Sequence, residues 1–404
     1  MNKILFTHSY FLRFDPKQWE QGQPYAPLGT LYAAALMREN GYEVSLFYTM
    51  FAHTAEDIIP ALNQHQPAFF VIYDDGFNYL TKMCLTNMRE AAFKMCKLAK
   101  AKGCTVIVSS SDSTDRYDQY LRQGADFVLL GEAETTLLEL TGAIKTGAKN
   151  YDDITGLAFI ENDAIRKTAA RSVLKNLDQL PLPAWDMVDI EPYRKAWLKS
   201  KGYFSMNIGT TRGCPFKCNW CAKPIYGNRY NSRSAENVIE EIKLLKQKYQ
   251  PDHIWFCDDI FGLKPGWVHE FSRLVKQENL QFKYKIQTRA DLLLQDDQIE
   301  ALAASGCDNA WIGAESGSQK ILDAMDKGTT IDQIHTATRL LKKHHIKPSF
   351  FIQFCIPWAI SVACTLCPCR EKKIASSPVP LFSSRILLPG FNNRDTSALT
   401  RRRL

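Results

Sequence analysis

Three cysteines stand in the spacing C-x3-C-x2-C within Arg212-Gly213-Cys214-Pro215-Phe216-Lys217-Cys218-Asn219-Trp220-Cys221. Thiolates so spaced can reach three irons of a cubic four-iron, four-sulfur (4Fe-4S) cluster and leave the fourth iron open to a small ligand. A structural zinc site closes on four protein ligands, and no fourth Cys or His lies near enough in sequence to complete one. The plain alternative is three cysteines packed in a core or holding zinc.

The segments around this loop must place it. Phe204 to Thr210 reads as a strand running directly into the cysteines, followed by a helix over 234–249 with apolar residues at Val238, Ile242, Leu245 and Tyr249. Strands then follow at His253–Cys257, Tyr284–Thr288, Ala310–Ala314 and Ser349–Phe354. Such a run of β/α units puts functional residues at the carboxyl ends of its strands. Three of those ends are polar: Asp258 and Asp259, then Arg289 and Asp291, then Glu315 and Ser316. Solvated turns are the bland reading of each. Cys257 and Cys307 read as small buried apolar residues.

Upstream, strands at Lys3–Ser9, Tyr42–Tyr48, Ala68–Asp74, Thr105–Ser111 and Ala125–Glu132 alternate with helical segments at 28–41, 55–66, 83–103, 117–124 and 135–144. That alternation predicts an α/β doubly wound parallel sheet, with ligands at the carboxyl ends of its strands. No G-x-G-x-x-G follows the first strand, so a dinucleotide is not favoured. Residues 151–202 are expected to leave the sheet. They read as a small hairpin, Thr155–Arg166, and a proline-stiffened connector, Leu180–Asp186.

With Trp220 in the aromatic slot, C-x3-C-x-aromatic-C resembles the signature of the radical S-adenosylmethionine (SAM) enzymes. The resemblance implies that Cys214, Cys218 and Cys221 hold a 4Fe-4S cluster and that SAM chelates the open iron. An electron from the reduced cluster then yields a 5'-deoxyadenosyl radical. An electron donor such as flavodoxin or ferredoxin is implied with it. The polar strand ends resemble those that hold SAM: Asp258 or Asp259 would accept from its ammonium, Arg289 would lie nearby, and Glu315 and Ser316 would bind its ribose. Pro27-Leu28-Gly29, the serines Ser109 and Ser110, and Gly131-Glu132 resemble features of the cobalamin-binding domain that precedes many radical SAM barrels. The D-x-H-x-x-G motif that supplies histidine to cobalt is absent from the first 150 residues. The resemblance is therefore to the type without histidine below cobalt, where the loop Tyr73-Asp74-Asp75-Gly76 would lie beneath the corrin.

The expected organisation is a flavodoxin-like cobalamin-binding domain over 1–150, a linker over 151–202 and a partial (β/α) radical SAM barrel over 203–357. The implied reaction is methyl transfer to an unactivated carbon or phosphorus of a small-molecule substrate. Alternatives are an oxidative cyclase resembling the anaerobic magnesium-protoporphyrin monomethyl ester cyclase, or a truncated, catalytically silent cobalamin-binding protein. A methylthiotransferase is disfavoured, because Cys84, Cys96 and Cys104 are in the wrong arrangement for a second cluster.

Composition limits the remaining choices. The chain of 404 residues is 45% apolar and 23% charged, without an apolar run near the ~20 residues of a membrane span. No export signal and twelve cysteines argue for a reducing, cytoplasmic setting. Of the net charge of +7, eight basic residues against Glu371 and Asp395 put +6 after Pro357, so the main body has no charge-based case for nucleic acid. Beyond Pro357 the resemblance stops, and Pro-, Arg- and Cys-rich sequence without period follows. A change of reading frame near Pro357 is expected to account for it, rather than a second cluster at Cys364, Cys367 and Cys369. The residues from Trp358 are expected to form no native core.

Overall fold

The computed structural model describes residues 2–74, 76, 85–221 and 225–353. Asp75, Cys84 and everything from 354 onward, including Cys364, Cys367 and Cys369 and the expectation of a coreless tail, lie outside these residues. Among the described residues no helix is long and apolar enough to cross a membrane.

Two sheets organise the chain, the first parallel through its first five strands and the second parallel throughout. In the first, β1 (Lys3–Thr7), β2 (Glu43–Leu46), β3 (Phe69–Tyr73), β4 (Thr105–Ser109) and β5 (Phe127–Leu129) lie in the order 2-1-3-4-5. The order reverses between β1 and β3, the crevice where open α/β sheets take ligands. Phe69 to Tyr73 are buried throughout, as a central parallel strand covered on both faces requires.

The expectation that residues 151–202 leave the sheet is corrected. The hairpin β6 (Leu157–Glu161) and β7 (Ala164–Lys167) does form, but it continues the sheet. β6 pairs antiparallel with β5, Phe127 opposite Phe159 and Leu129 opposite Leu157, making seven strands. The three-residue β5 would otherwise be an edge with unpaired N–H and C=O groups, and Leu157, Ala158 and Phe159 bury their side chains in covering it.

After this sheet comes β8 (Ser205–Ile208), and then a short antiparallel pair, β9 (Thr211–Arg212) with β10 (Asn231–Ser232). The chain continues through β11 (His253–Phe256), β12 (Lys283–Thr288), β13 (Cys307–Glu315) and β14 (Lys347–Ile352). With β8 these four make the second sheet, all parallel, in the order β14-β13-β12-β11-β8. They are the five strands expected from the sequence, in a partial barrel.

Alternation along β11 and β12 assigns the faces. Ile254, Phe256, Tyr284 and Ile286 turn to the helices, with Phe256 5.8 Å from Phe271 and 5.2 Å from Tyr284. Trp255 and Lys285 pair on the opposite face, the ammonium 3.8 Å from the indole centroid. The helix Ala235–Tyr249 starts where Ser234 accepts from the Asn237 N–H and stops at Gln250 in a left-handed conformation. It buries Val238, Ile239, Ile242 and Leu245, worth roughly 6–12 kcal/mol at ~1.5–3 per side chain, an upper bound.

The helix Leu28–Glu39 joins the two sheets, and nine of its residues are buried. Ala33, Ala34 and Met37 pack on the first sheet, while Leu28, Leu31 and Tyr32 enter the barrel's core. Its approach is clamped by Asn207 of β8, which accepts from the Ala26 N–H at 2.9 Å and donates to the Ala26 carbonyl at 2.8 Å.

Candidate cluster and cofactor site

The cysteine loop is an excursion between β9 and β10, opening at Gly213 with φ +81. A Cβ at Gly213 would come within 2.4 Å of the Arg229 carbonyl oxygen, so glycine is required both for the conformation and for the close approach. Cys214 and Cys218 are half-buried and Cys221 is exposed. Among the described residues no three His, Cys, Asp or Glu side chains gather tightly enough to hold one metal ion.

The barrel backs this loop. Asn219 donates from its amide side chain to the Ala324 carbonyl at 2.8 Å and from its backbone to Met325 at 3.2 Å. The Arg289 guanidinium lies 3.7 Å from the Phe216 ring centroid, and Lys327 Nζ is 5.8 Å from that of Trp220. Two buried donors here, Trp220 Nε1 and Arg289 Nη1, have no hydrogen-bond partner among the described residues. The other arms of Arg289 are held by Asp291 at 2.9 and 3.0 Å. Buried donors left open are rare, and two beside a thiol-bearing loop fit an oxygen-rich anionic ligand such as an amino-acid carboxylate.

The structure redistributes the other candidates. Asp258 is 1% exposed and already satisfied: Oδ1 accepts from the Thr210 and Thr211 N–H groups at 2.6 and 2.8 Å, and Oδ2 from the Thr210 hydroxyl at 2.6 Å. Burial pushes its pKa up to about 6, against those donors. It is therefore a staple between strand ends, and of the two aspartates only Asp259 is exposed. Glu315 is likewise committed, to Lys327 Nζ at 2.9 Å and to the Gln353 amide at 3.0 Å. Its φ of +61 at a register shift between β13 and β14 is a strained conformation for a residue with a side chain, and these two partners hold it. Ser316 builds the following turn, accepting from the Ser318 N–H at 3.2 Å.

In the first sheet, Asp74 repeats the Asp258 arrangement. It accepts from the Ser9 N–H at 2.6 Å and the Ser9 hydroxyl at 2.7 Å, and burial raises its pKa to about 6. Ser109 is buried at the end of β4, and Ser110 caps the next helix by reciprocal 2.8 Å bonds with Ser113. Ser110 also lines a small cleft with Asp74, Met88, Asp112 and Tyr120. Pro27, Leu28 and Gly29 are buried at the helix start, Leu28 within the barrel's core. Gly131 adopts φ +77 in the turn after β5. Glu132, expected at the cofactor, instead pairs with buried Arg212, which also bonds Glu134 at 2.7 Å. Cys96 and Cys104 are buried in the first sheet's core, and burial pushes the Cys96 thiol up to about 12.

Sequence reasoning read Arg212 and Glu134 only as members of the cysteine stretch and of the turn Gly131-Glu132-Ala133-Glu134, and assigned no role to Lys327 or Asn207. A charged residue just before the cysteine loop, and two glutamates at i and i+2 opening a helix, were the available signals for the first two.

The carboxyl ends of the two sheets meet at this loop. A Cβ on Gly76, just past β3, would lie 2.9 Å from Ile225 and 3.5 Å from the Tyr226 hydroxyl, residues of the excursion that carries the cysteines. Residues 208–357 match the family profile described as the Radical SAM superfamily. These residues are a radical SAM domain, the domain of an enzyme class whose cofactors are a 4Fe-4S cluster and SAM.

Among curated relatives, an uncharacterized methyltransferase of Pyrococcus horikoshii is 29% identical, over 81% of this chain and 69% of its own. The anaerobic magnesium-protoporphyrin IX monomethyl ester cyclase of a Synechocystis species is 23% identical, over 79% of this chain and 62% of its own. Among solved structures, the cobalamin-dependent SAM radical enzyme OxsB with aqua-cobalamin bound matches 87% of this chain and 49% of its own, with a TM-score of 0.70 at 18% identity. The fold is thus shared with OxsB, and the chain spans about half to two thirds of the length of these proteins.

Proposed function

We propose that this protein is a cobalamin-dependent radical SAM methyltransferase acting on a small molecule. The supporting observation is the meeting of the two sheets' carboxyl ends around one cysteine loop, Gly76 against Ile225 and Tyr226 on one side and Glu132 and Glu134 against Arg212 on the other. A ligand at the β1/β3 crevice and one at the cysteines would share a single space. Cys214, Cys218 and Cys221 would hold the cluster, with Arg289 Nη1 and Trp220 Nε1 offering donors to SAM and Asp259 an acceptor. When bound, the cluster with SAM supplies a carbon-centred radical, and cobalamin supplies a methyl carrier.

The chain's own residues position and shield. Asp74 and Asp258 staple neighbouring strand ends, fixing the rim of each sheet, and Leu28, Leu31 and Tyr32 seal the joint against water. An electron donor of the flavodoxin or ferredoxin kind is the expected partner.

The test is anaerobic reconstitution followed by iron, EPR and product analysis. About one four-iron cluster per chain is expected, lost on Cys214→Ala, Cys218→Ala or Cys221→Ala. Iron unchanged in all three variants would overturn the assignment. Bound Co(II) cobalamin should show no nitrogen superhyperfine splitting. A product one methyl group heavier than the substrate supports methyl transfer. Ring closure without added carbon would support the alternative suggested by the relative from Synechocystis, an oxidative cyclase.

A further inference from the structure

We propose that Arg212, braced by Glu132 and Glu134, is a positioning strut that fixes the cysteine loop against the first sheet. This rests on the reading of the loop as a cluster site, although one arm of the test below does not depend on it.

The geometry is that of a three-point brace. Arg212 is the last residue of β9, two positions before Cys214, so its backbone lies within about 7 Å of the first cysteine's. Its Nη1 bonds Glu132 and its Nη2 bonds Glu134 Oε1 at 2.7 Å. Both glutamates belong to the corner between β5 and the helix Glu134–Lys145, in the other sheet. All three are nearly sealed from solvent, at 2%, 9% and 4% exposure. The guanidinium also lies 5.7 Å from the ring of Tyr32, on the helix Leu28–Glu39, and 5.5 Å from the ring of Tyr226, in the cysteine excursion. Glu132 is itself tied down, accepting from the Leu174 N–H at 2.5 Å.

A planar fork reaching two carboxylates fixes orientation as well as distance, which a lysine cannot do. Truncating one partner leaves a buried charge uncompensated, so the cost appears where the loop can move to relieve it. With Gly213 as the next residue, that place is the cysteine loop.

The experiment compares wild type, Arg212→Lys, Glu134→Gln and Glu132→Gln in the full chain. In the metal-free protein, alkylation of individual cysteines by iodoacetamide is followed by mass spectrometry. Half-buried Cys214 should react roughly tenfold faster in Glu134→Gln than in wild type, with exposed Cys221 nearly unchanged. In the reconstituted protein, the reduced cluster should keep its iron but change its EPR signature and its response to added SAM. Arg212→Lys should fail to restore either readout, because the fork is lost.

A lowered thermal midpoint with unaltered Cys214 alkylation and an unaltered EPR signal in both glutamine variants would show a merely structural ion pair and overturn the proposal. Should wild type take up no iron while Cys214 alkylation still accelerates in the variants, the strut stands and the cluster reading falls. The glutamine variants keep one arm of the brace and so carry the test if a more drastic change at Arg212 prevents folding.

Discussion

Replacing Gly213 by alanine separates what the cysteine loop needs from glycine's backbone from what it needs from glycine's size. At φ +81 a side chain costs about 1–2 kcal/mol from the left-handed conformation alone. The added Cβ would also sit 2.4 Å from the Arg229 carbonyl oxygen and 3.0 Å from the Tyr226 Cβ, and crowding of this kind costs about 1–3 kcal/mol more. The total of about 2–5 kcal/mol is a large part of the ~5–15 kcal/mol that holds a domain together. Gly227 is the internal control: it has φ +62 in the same excursion and no atom within 4 Å of an added methyl, so Gly227→Ala carries only the first cost. At ~2–4 °C per kcal/mol for a unit of about 150–250 residues, Gly213→Ala should melt on the order of 5–15 °C below wild type and distinctly below Gly227→Ala. It should also take up less iron on reconstitution, since the loop must shift to clear Arg229. Equal melting shifts and equal iron in the two variants would refute the argument, because the close approach would then impose no constraint.

Two further perturbations test the buried acids. Asp258 has a folded pKa of about 6 against ~3.9 unfolded, so folding favours its neutral form by about 3 kcal/mol; that contribution is complete below pH ~4 and lost as pH rises through about 6. Asp258→Asn keeps an acceptor for the two backbone N–H groups and lets the Thr210 hydroxyl turn to accept, so the fall in urea midpoint between pH 4.5 and 7 should be shallower than in wild type, Asp74 supplying the remainder; identical slopes would contradict this. Trp185→Phe removes the 2.8 Å bond from the indole to Glu241, which is fully buried and paired with Arg233, and should cost about 1–3 kcal/mol in urea unfolding; a change below ~0.5 kcal/mol would mean that Arg233 alone satisfies the carboxylate.

The strands were legible because local patterns carried them. Phe69-Phe70-Val71-Ile72-Tyr73 is apolar throughout, as a strand covered on both faces must be, and the helix Ala235–Tyr249 repeats its apolar residues at three and four. The hairpin's attachment to β5 was not legible, because pairing partners are set by which edge lies open in the folded sheet. The cysteine loop stands out because its C-x3-C-x2-C spacing is local in sequence. Arg212 escaped for the opposite reason: its partners lie 80 and 78 residues away, and no local pattern brings Glu132 and Glu134 to it.

The two carboxylates Asp74 and Asp258 show why a polar strand end marks a rim without naming a role. Each stands just past one strand, each accepts an N–H and an O–H from the end of the neighbouring strand, and each is pushed by burial to a pKa of about 6. Parallel strands splay where their ladder stops, and an acid that bonds both donors of the adjacent residue holds the ends together. Oxygens bonded in this way hold the strand ends first, and only the lone pairs left over remain for a ligand. Among the described residues, the groups left open beside the cysteine loop include Trp220 Nε1 and Arg289 Nη1, and the proposed site rests on them. Neither atom is singled out by residue type, since the same arginine spends its other arms on Asp291. The distinction lies in which hydrogen bonds are already made, and only the folded chain decides that.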